Sequence, residues 1–252
     1  ISQANPATGR MPSMMKINYY ISSHGFGHST RAIEVINHLP EWLDVEIVTT
    51  TPRWLFEQSI QRRFTYRAFQ HDAGIIQKNC LLNDVEETFR FWQNLLDEYP
   101  RLAGEESDRL RREKVGLAVG DISPFAIAAA QKAGIPSAIV ANFSWDWIFA
   151  DFLPYKPQFQ ELIDRIADYY RQTTLLIRTP LAGDLSVFPR AIDVPLIVRH
   201  ARLNRQEARF KLGLEPEDKV VVLSFGGIGF DKIRVDYLES FEDITFLTFD
   251  ER

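Results

Sequence analysis

The fold is decided by residues 16–50, KINYYISSHGFGHSTRAIEVINHLPEWLDVEIVTT. The first seven residues are rich in Ile and Tyr and predict a strand over residues 16–22. A glycine-bearing segment, residues 23–29, follows and is predicted to be a loop. Apolar residues at helical spacing then predict a helix over residues 30–39, which a proline ends. The β-branched run at residues 45–50 is typical of a buried parallel strand, so the stretch predicts one βαβ unit.

The alternation of strands and helices continues along the chain. Further helices are predicted over residues 53–61, 83–112, 125–133, 159–170 and 204–212. Further strands are predicted over residues 64–69, 115–121, 137–141, 174–178 and 219–225. Such alternation indicates a parallel sheet covered on both faces. The predicted fold class is α/β, a Rossmann-like parallel sheet followed by the beginning of a second α/β domain.

These patterns divide the chain into three parts. Residues 1–14 are polar and contain prolines, and they are expected to be a disordered leader rather than a signal peptide because they lack an apolar core. Residues 15–198 form the predicted Rossmann-like domain. Residues 199–252 begin a second α/β domain, which we expect to be truncated because about 50 residues are too few for a doubly wound domain.

The composition is typical of a globular protein with an acidic balance. Of 252 residues, 45% are hydrophobic and 25% are charged, and the net charge is −5. This charge argues against nucleic acid as a main partner, because phosphate binding needs a surplus of Lys and Arg. Arg109, Arg111 and Arg112 alternate with acids and are interpreted as a solvated helix face. Cys80 is the single cysteine, which fits a cytoplasmic location, and no apolar run is long enough for a membrane span.

The strongest candidate site is the loop His24-Gly25-Phe26-Gly27-His28, at the end of the first predicted strand. Ligands of open parallel sheets bind beyond the carboxyl ends of the strands. The two glycines let the backbone approach a ligand closely, and the following helix offers free N–H groups to a phosphate or carboxylate. Either histidine could act as a general base toward a hydroxyl. The alternative interpretation is a tight turn with two surface histidines.

Two further strand ends are expected to bring polar groups to the same edge. Asp121 ends a predicted strand and could hold a substrate hydroxyl or orient a histidine. Alternatively, Asp121 caps the next helix, a role that Ser123 could equally take. Asn142, Ser144 and Asp146 follow another strand and alternate with aromatic residues, a combination that suits a sugar.

Other candidates carry weaker signals. Trp147 is predicted to be a core aromatic. Gly226 and Gly227 form a second glycine turn after a strand and are candidate ligand contacts. His71, next to Asp72, could belong to a loop at the cleft. The sequence contains no metal-binding motif, P-loop lysine or nucleophile elbow, so no metal and no resident cofactor are expected.

Five motifs occur in a fixed order. They are SHGFGHSTR (residues 23–31), VGD (119–121), NFSWD (142–146), DVPLIVR (193–199) and SFGG (224–227). This series resembles the glycosyltransferase-like region of the GT-B superfamily, especially the version at the N terminus of L-arabinokinase and its stand-alone bacterial relatives. The resemblance extends over nearly the whole chain after Met15.

The resemblance implies two Rossmann-like domains that face each other across a cleft. The first would bind the acceptor and the second a nucleotide sugar, which serves as co-substrate. It also implies that His24 or His28 activates the acceptor hydroxyl, and that helix N-termini stabilise the departing nucleoside diphosphate without a metal. The leading hypothesis is a GT-B glycosyltransferase that transfers a hexose or pentose from a nucleotide sugar to a hydroxyl acceptor.

Two other functions stay open at this point. The chain could be a non-catalytic sugar- or nucleotide-binding module associated with a sugar kinase, because a glycosyltransferase-like region fused to a kinase need not transfer sugar. A sugar-nucleotide epimerase would share the fold as well. All three hypotheses name a small-molecule sugar or nucleotide sugar as the ligand.

Overall fold

The computed structural model describes residues 14–79, 81–224 and 235–248. The chain divides into two compact units, one comprising Ile1–Ile76 with Asp84–Ile197 and the other Gln77–Asn83 with Val198–Arg252. Three sequence predictions, the leader up to residue 13 and the candidates Gly226 and Gly227, lie outside the described residues.

The first unit is built on a parallel sheet, as its alternating pattern predicts. The strands of the described chain are β1 (Met15–Ile21), β2 (Leu43–Val48), β3 (Thr65–Arg67), β4 (Gln77–Asn79), β5 (Leu82–Asn83), β6 (Val115–Asp121), β7 (Ser137–Ala141), β8 (Leu175–Arg178), β9 (Ala191–Asp193), β10 (Lys219–Leu223) and β11 (Ile244–Thr248). Seven of them pair in the order β3-β2-β1-β6-β7-β8-β9, and every neighbouring pair is parallel. The order reverses at β1, which is the topological switch point of a Rossmann-like sheet.

Helices cover both faces of this sheet. They are α1 (Gly25–His38), α2 (Arg53–Ser59), α3 (Val85–Arg112), α4 (Pro124–Ala133), α5 (Trp145–Ala150) and α6 (Phe159–Tyr170). Side chains alternate along a strand, so β1 contributes Ile17, Tyr19 and Ile21 to a core with α1 and α2, and Tyr20 to a second core with α3 to α6. The buried faces of these helices thereby hold the sheet between two apolar layers.

The second unit contains short elements. β10 and β11 pair in parallel, and β4 and β5 form an antiparallel pair. The remaining helices are α7 (Arg205–Lys211) and α8 (Val235–Leu238). α7 begins at a capping box, in which the Asn204 side chain accepts from the Glu207 backbone N–H and the Glu207 side chain accepts from the Asn204 N–H.

The helix bounds differ from the prediction at one place that concerns function. α1 begins at Gly25 rather than at residue 30, so the predicted loop is mostly the first turns of the helix. Gly25 has a φ of 68°, a left-handed conformation that favours glycine, and the chain becomes helical directly after it. The predicted strands over 115–121 and 137–141 and the predicted helix over 159–170 are confirmed.

Several elements were not predicted. α5 lies in the segment of alternating polar and aromatic residues, for which no helix bounds were predicted, and β9 and β11 are three- and five-residue strands. α3 runs through Pro100 as one helix of 28 residues.

A group of charged and polar side chains is enclosed between the sheet and α3. This α3 charge cluster consists of Lys16, Asn18, Tyr20, Glu46, Arg67, Glu106, Arg109 and Glu113. Arg109 donates to buried Glu46 at 2.5 Å, so its interpretation as part of a solvated helix face was wrong. The amphipathic pattern of α3 could not reveal this pairing, because Glu46 comes from a strand 63 residues away.

Candidate functional site

Three strands end side by side at the centre of the sheet's carboxyl edge. β1, β6 and β7 are neighbours and end at Ile21, Asp121 and Ala141. Crevices at this edge, next to the switch point, are where ligands of open parallel sheets bind. α1 begins at the same edge, and its first turns contact residues at the ends of β6 and β7.

His28 and Arg31 of α1 converge on the Asp121 carboxylate. His28 Nδ1 lies 2.5 Å from Asp121 Oδ1. Arg31 donates from Nη2 to Oδ1 at 2.7 Å and from Nε to Oδ2 at 2.8 Å, which makes a bidentate pair. Asp121 is 0% exposed and His28 is 7% exposed. The interpretation of His28 as a surface histidine in a tight turn is therefore wrong.

These contacts determine which nitrogen of His28 is available. An ionised carboxylate only accepts hydrogen bonds, so His28 Nδ1 carries a proton and donates it to Asp121. In the neutral ring, Nε2 is then an unprotonated acceptor. Within the described part of the chain, no group forms a hydrogen bond with Nε2.

The ionisation of Asp121 follows from its neighbours. Burial by itself would raise the pKa of the Asp121 carboxyl. The positive charge of Arg31, the electrostatic interaction with His28 and the hydrogen bonds from both outweigh the burial and hold the pKa of Asp121 below its usual value. Asp121 is therefore a carboxylate at neutral pH even though it has no access to solvent.

The chain turns sharply after Asp121. Ile122 has a φ of 55°, which is an unfavourable conformation for a β-branched residue. The Tyr170 hydroxyl donates to the Ile122 carbonyl at 2.6 Å, and Ile21 forms an isolated antiparallel bridge with Ile122. Backbone strain of this kind is concentrated at functional sites, where the surrounding structure supports it.

His24 precedes α1 and is more enclosed than the sequence suggested. Its ring lies edge-on to Trp145, with ring centroids 5.8 Å apart, and 6.4 Å from the ring of His28. Gly74 passes over it so closely that a Cβ at this position would lie 2.5 Å from His24. Burial lowers the pKa of His24, and His28 adds to this effect, so the neutral ring is favoured.

The remaining residues of the predicted loop surround the start of α1. Gly27 is exposed, and a Cβ there would have no atom within 4 Å, so open space lies beside this turn. Phe26 is half-buried, and its ring packs edge-on against the half-exposed Trp54 at 6.0 Å. Gly25 supports the turn through its backbone conformation.

The structure places the three predicted sugar contacts differently from one another. Asn142 joins the central group, because its Oδ1 accepts from Arg31 Nη1 at 2.9 Å. Ser144 is fully buried at the start of α5. Asp146 is half-buried in the first turn of α5, and burial raises its pKa. In the described residues, neither Ser144 nor Asp146 forms a hydrogen bond with His28 or Asp121.

Asp121 does not cap the following helix, so that alternative was wrong. Both of its oxygens bind His28 and Arg31 instead. Ser123 occupies the N-cap position of α4 but makes no capping hydrogen bond, and its hydroxyl lies 2.8 Å from His71 Nδ1.

His71 and Asp72 belong to the interior rather than to a cleft. They are 2% and 1% exposed, and His71 Nε2 lies 3.1 Å from the Val48 carbonyl. Trp147 is 43% exposed, so its assignment to the core was wrong, whereas Trp145 is 1% exposed and packs against both site histidines. Trp145 and Trp147 are two residues apart on α5 and therefore lie on nearly opposite sides of the helix, so one faces the core and the other does not.

Sequence reasoning missed Arg31 as a site residue. The signal was available in the spacing, because residues three apart on a helix share a face and both His28 and Arg31 lie on α1. The prediction began the helix at residue 30 and left His28 in a loop, so the shared face did not appear. Tyr19 was missed as well: its hydroxyl is buried without a hydrogen-bond partner in the described chain, and burial and Asp121 raise its pKa.

The described residues contain neither a candidate metal site nor a candidate membrane span. No cluster of three or more His, Cys, Asp or Glu side chains is arranged to hold a metal ion. No helix there combines the length and the apolar composition needed to cross a membrane.

The chain is similar in sequence to a known protein. It is 35% identical to the L-arabinokinase of Arabidopsis thaliana over 213 residues, which is 83% of this chain and 20% of that protein. The chain thus spans about a fifth of the length of the curated relative that it matches. No family model matches the chain.

Solved structures identify the fold class. The chain superposes on Phytolacca americana UGT2, solved with UDP-2fluoro-glucose and pterostilbene, with a TM-score of 0.57, 12% identity, and coverage of 93% of this chain and 71% of that one. It superposes on a UDP-glucosyltransferase from Polygonum tinctorium with a TM-score of 0.54 and 14% identity, over 84% of this chain and 58% of that one. The fold is therefore a Rossmann-like fold of the GT-B glycosyltransferase type. Within this class, the chain resembles part of L-arabinokinase in sequence.

Proposed function

We propose that the chain is the acceptor-side part of a glycosyltransferase that moves a sugar from a nucleotide sugar to a hydroxyl acceptor. The observation that carries this proposal is the His28–Asp121 pair at the carboxyl end of β6. The pair orients an imidazole whose Nε2 forms no hydrogen bond within the described residues, and it lies at the edge of the sheet where ligands of open parallel sheets bind. The structure of similar fold that was solved with UDP-2fluoro-glucose supports a sugar nucleotide as the donor.

The proposed reaction uses His28 as general base. The acceptor oxygen attacks the anomeric carbon of the donor and forms the new glycosidic bond. The bond between that carbon and the diphosphate oxygen breaks, and the nucleoside diphosphate leaves with the bonding electron pair. The acceptor proton passes to His28 Nε2, and the imidazolium that forms is stabilised by Asp121 at Nδ1.

His28 is a better candidate for the base than His24. Asp121 fixes the tautomer and orientation of His28, as an orienting group must. Among the described residues no carboxylate is hydrogen-bonded to the His24 ring, which lies beneath Gly74, and burial lowers the pKa of His24. In this proposal His24 packs beside the base and shapes its surroundings.

The test measures nucleoside diphosphate release by the full-length protein from a panel of UDP- and GDP-sugars with sugar and phenolic acceptors. We expect His28→Gln to lower kcat by about 10²- to 10⁴-fold, the usual contribution of a general base. His24→Gln should have a smaller effect. His38→Gln is the matched control, because His38 is an exposed histidine on the same helix.

Full activity of the His28→Gln protein would overturn this assignment. Calorimetric binding of UDP-sugar without turnover in the wild-type protein would favour the alternative function, a non-catalytic binding module associated with a sugar kinase.

A further inference from the structure

Arg31 occupies a position that a simple histidine–carboxylate pair does not require. Its Nε and Nη2 donate to both oxygens of Asp121, and its Nη1 donates to Asn142 Oδ1 at 2.9 Å. The Arg31 side chain is 15% exposed. The Arg31 guanidinium therefore links the end of β6 to the residue that follows β7, and it lies beside His28 on the same carboxylate.

The charges explain what this arrangement does. A buried carboxylate next to an imidazole stabilises the protonated ring, as an opposite charge within hydrogen-bond distance does. With Asp121 alone, His28 would take up a proton more readily, and a protonated ring cannot accept another from a substrate. The Arg31 cation, bound to the same carboxylate, compensates the negative charge and weakens its pull on that proton.

We propose that Arg31 is a positioning residue that offsets the charge of Asp121 beside His28, holds the hydrogen bond at Nδ1 in place and leaves Nε2 open to a ligand hydroxyl. Its catalytic consequence rests on the proposed function, but its charge effect on His28 does not. Arg31 also orients Asn142: because Oδ1 is taken by Arg31, the Asn142 amide N–H groups point away from the guanidinium and are available to an oxygen of the ligand.

Other titratable groups face this site from the elements packed around it. Tyr19 on β1 interacts electrostatically with both Asp121 and Arg31, and His24 interacts with His28. Asp72 acts on His24, and Asp146 lies on α5. None of these groups reaches Asp121 with a hydrogen bond in the described chain, whereas Arg31 makes two.

The experiment follows the ring resonances of His28 by NMR as a function of pH, in a sample labelled at histidine, with His28→Gln as the assignment control. In Arg31→Met, we expect the pKa of His28 to rise by about one unit or more, a roughly tenfold larger protonated fraction at a given pH above the pKa. Arg31→Lys keeps the charge and should shift the pKa by less.

Arg178→Met is the matched control. Arg178 forms the same type of bidentate pair with Asp193, at 2.6 and 3.0 Å, at the ends of β8 and β9, farther along the same edge of the sheet. This variant should leave the His28 titration unchanged. For active protein, the acid limb of the kcat/KM profile should move to higher pH in Arg31→Met by the same amount as the His28 titration.

An unchanged His28 titration in folded Arg31→Met would overturn the inference. Should that variant fail to fold, Asp121→Asn provides a second test. With the carboxylate gone, the Arg31 charge should lower the pKa of His28 relative to the doubly substituted Asp121→Asn, Arg31→Met protein, in which the ring is equally buried, and equal titrations of the two proteins would equally overturn the inference.

The two proposals can fail separately. A shifted His28 titration in a protein that transfers no sugar would reject the proposed function and retain the role of Arg31. Transfer that depends on His28 but is indifferent to Arg31→Met would do the reverse.

Discussion

The site at the carboxyl edge and the α3 charge cluster both bury carboxylates against arginines, on opposite faces of one sheet. In the cluster, Glu46 and Glu106 are 4% and 5% exposed, and they meet Arg67 and Arg109. Each charged side chain of the cluster lies against an opposite charge. At the carboxyl edge, Asp121 is likewise matched by Arg31.

The two regions differ in that only the carboxyl-edge site adds a histidine, His28, to its ion pair. α3 covers the cluster, and the charged side chains there pair with one another. At the carboxyl edge, His28 is added to an ion pair that is already matched, and its Nε2 is unused by any described residue. A buried ion pair thus does not by itself mark a functional site. A titratable atom that the protein orients but does not use is the more informative feature.

The largest expected effect on stability belongs to the cluster. We expect Glu46→Gln to lower the free energy of unfolding by about 3 to 5 kcal/mol, because it removes the buried carboxylate that faces both Arg67 and Arg109. Urea denaturation measures this. Glu57→Gln is the control, since Glu57 pairs with Arg53 on the surface. A loss similar to that of the control would mean that the cluster does not hold the fold.

A smaller effect, with a characteristic pH dependence, is expected at the carboxyl edge. Asp121→Asn should lower the free energy of unfolding by about 2 kcal/mol at pH 7, a typical value for hydrogen bonds to a charged group. The folded pKa of Asp121 is depressed, so its contribution is complete above the unfolded value of about 3.9 and is lost as the pH falls through the folded pKa.

Denaturation of both proteins between pH 3 and pH 8 tests this expectation. The difference in stability between the wild-type protein and Asp121→Asn should be largest above about pH 5 and shrink below about pH 4. A difference that is constant down to pH 3 would show that Asp121 is not stabilised as an anion by Arg31.

The smallest effect is expected at the exposed pair. Arg178→Met should leave the free energy of unfolding nearly unchanged, because solvent screens an exposed ion pair. This pair has the same bidentate geometry as Arg31–Asp121 but is exposed. A loss as large as that of Asp121→Asn would show that geometry, rather than burial, sets the energy.

The sequence by itself determined the fold class. The alternation of β-branched runs and amphipathic segments predicted the parallel sheet, and most strands and long helices fall near their predicted bounds. It also directed attention to His24, His28, Asp121 and Asn142, because residues at the ends of parallel strands gather at one edge. Local patterns suffice for this, since each element carries its own periodicity.

Only the tertiary structure decided how these residues are paired. It made His28 rather than His24 the partner of Asp121, brought Arg31 to the same carboxylate, buried Ser144 and exposed Trp147. His28 and Asp121 are 93 residues apart in the chain. Which side chains meet over such a separation depends on strand order and on the residue at which α1 begins, and no local pattern in the sequence records either.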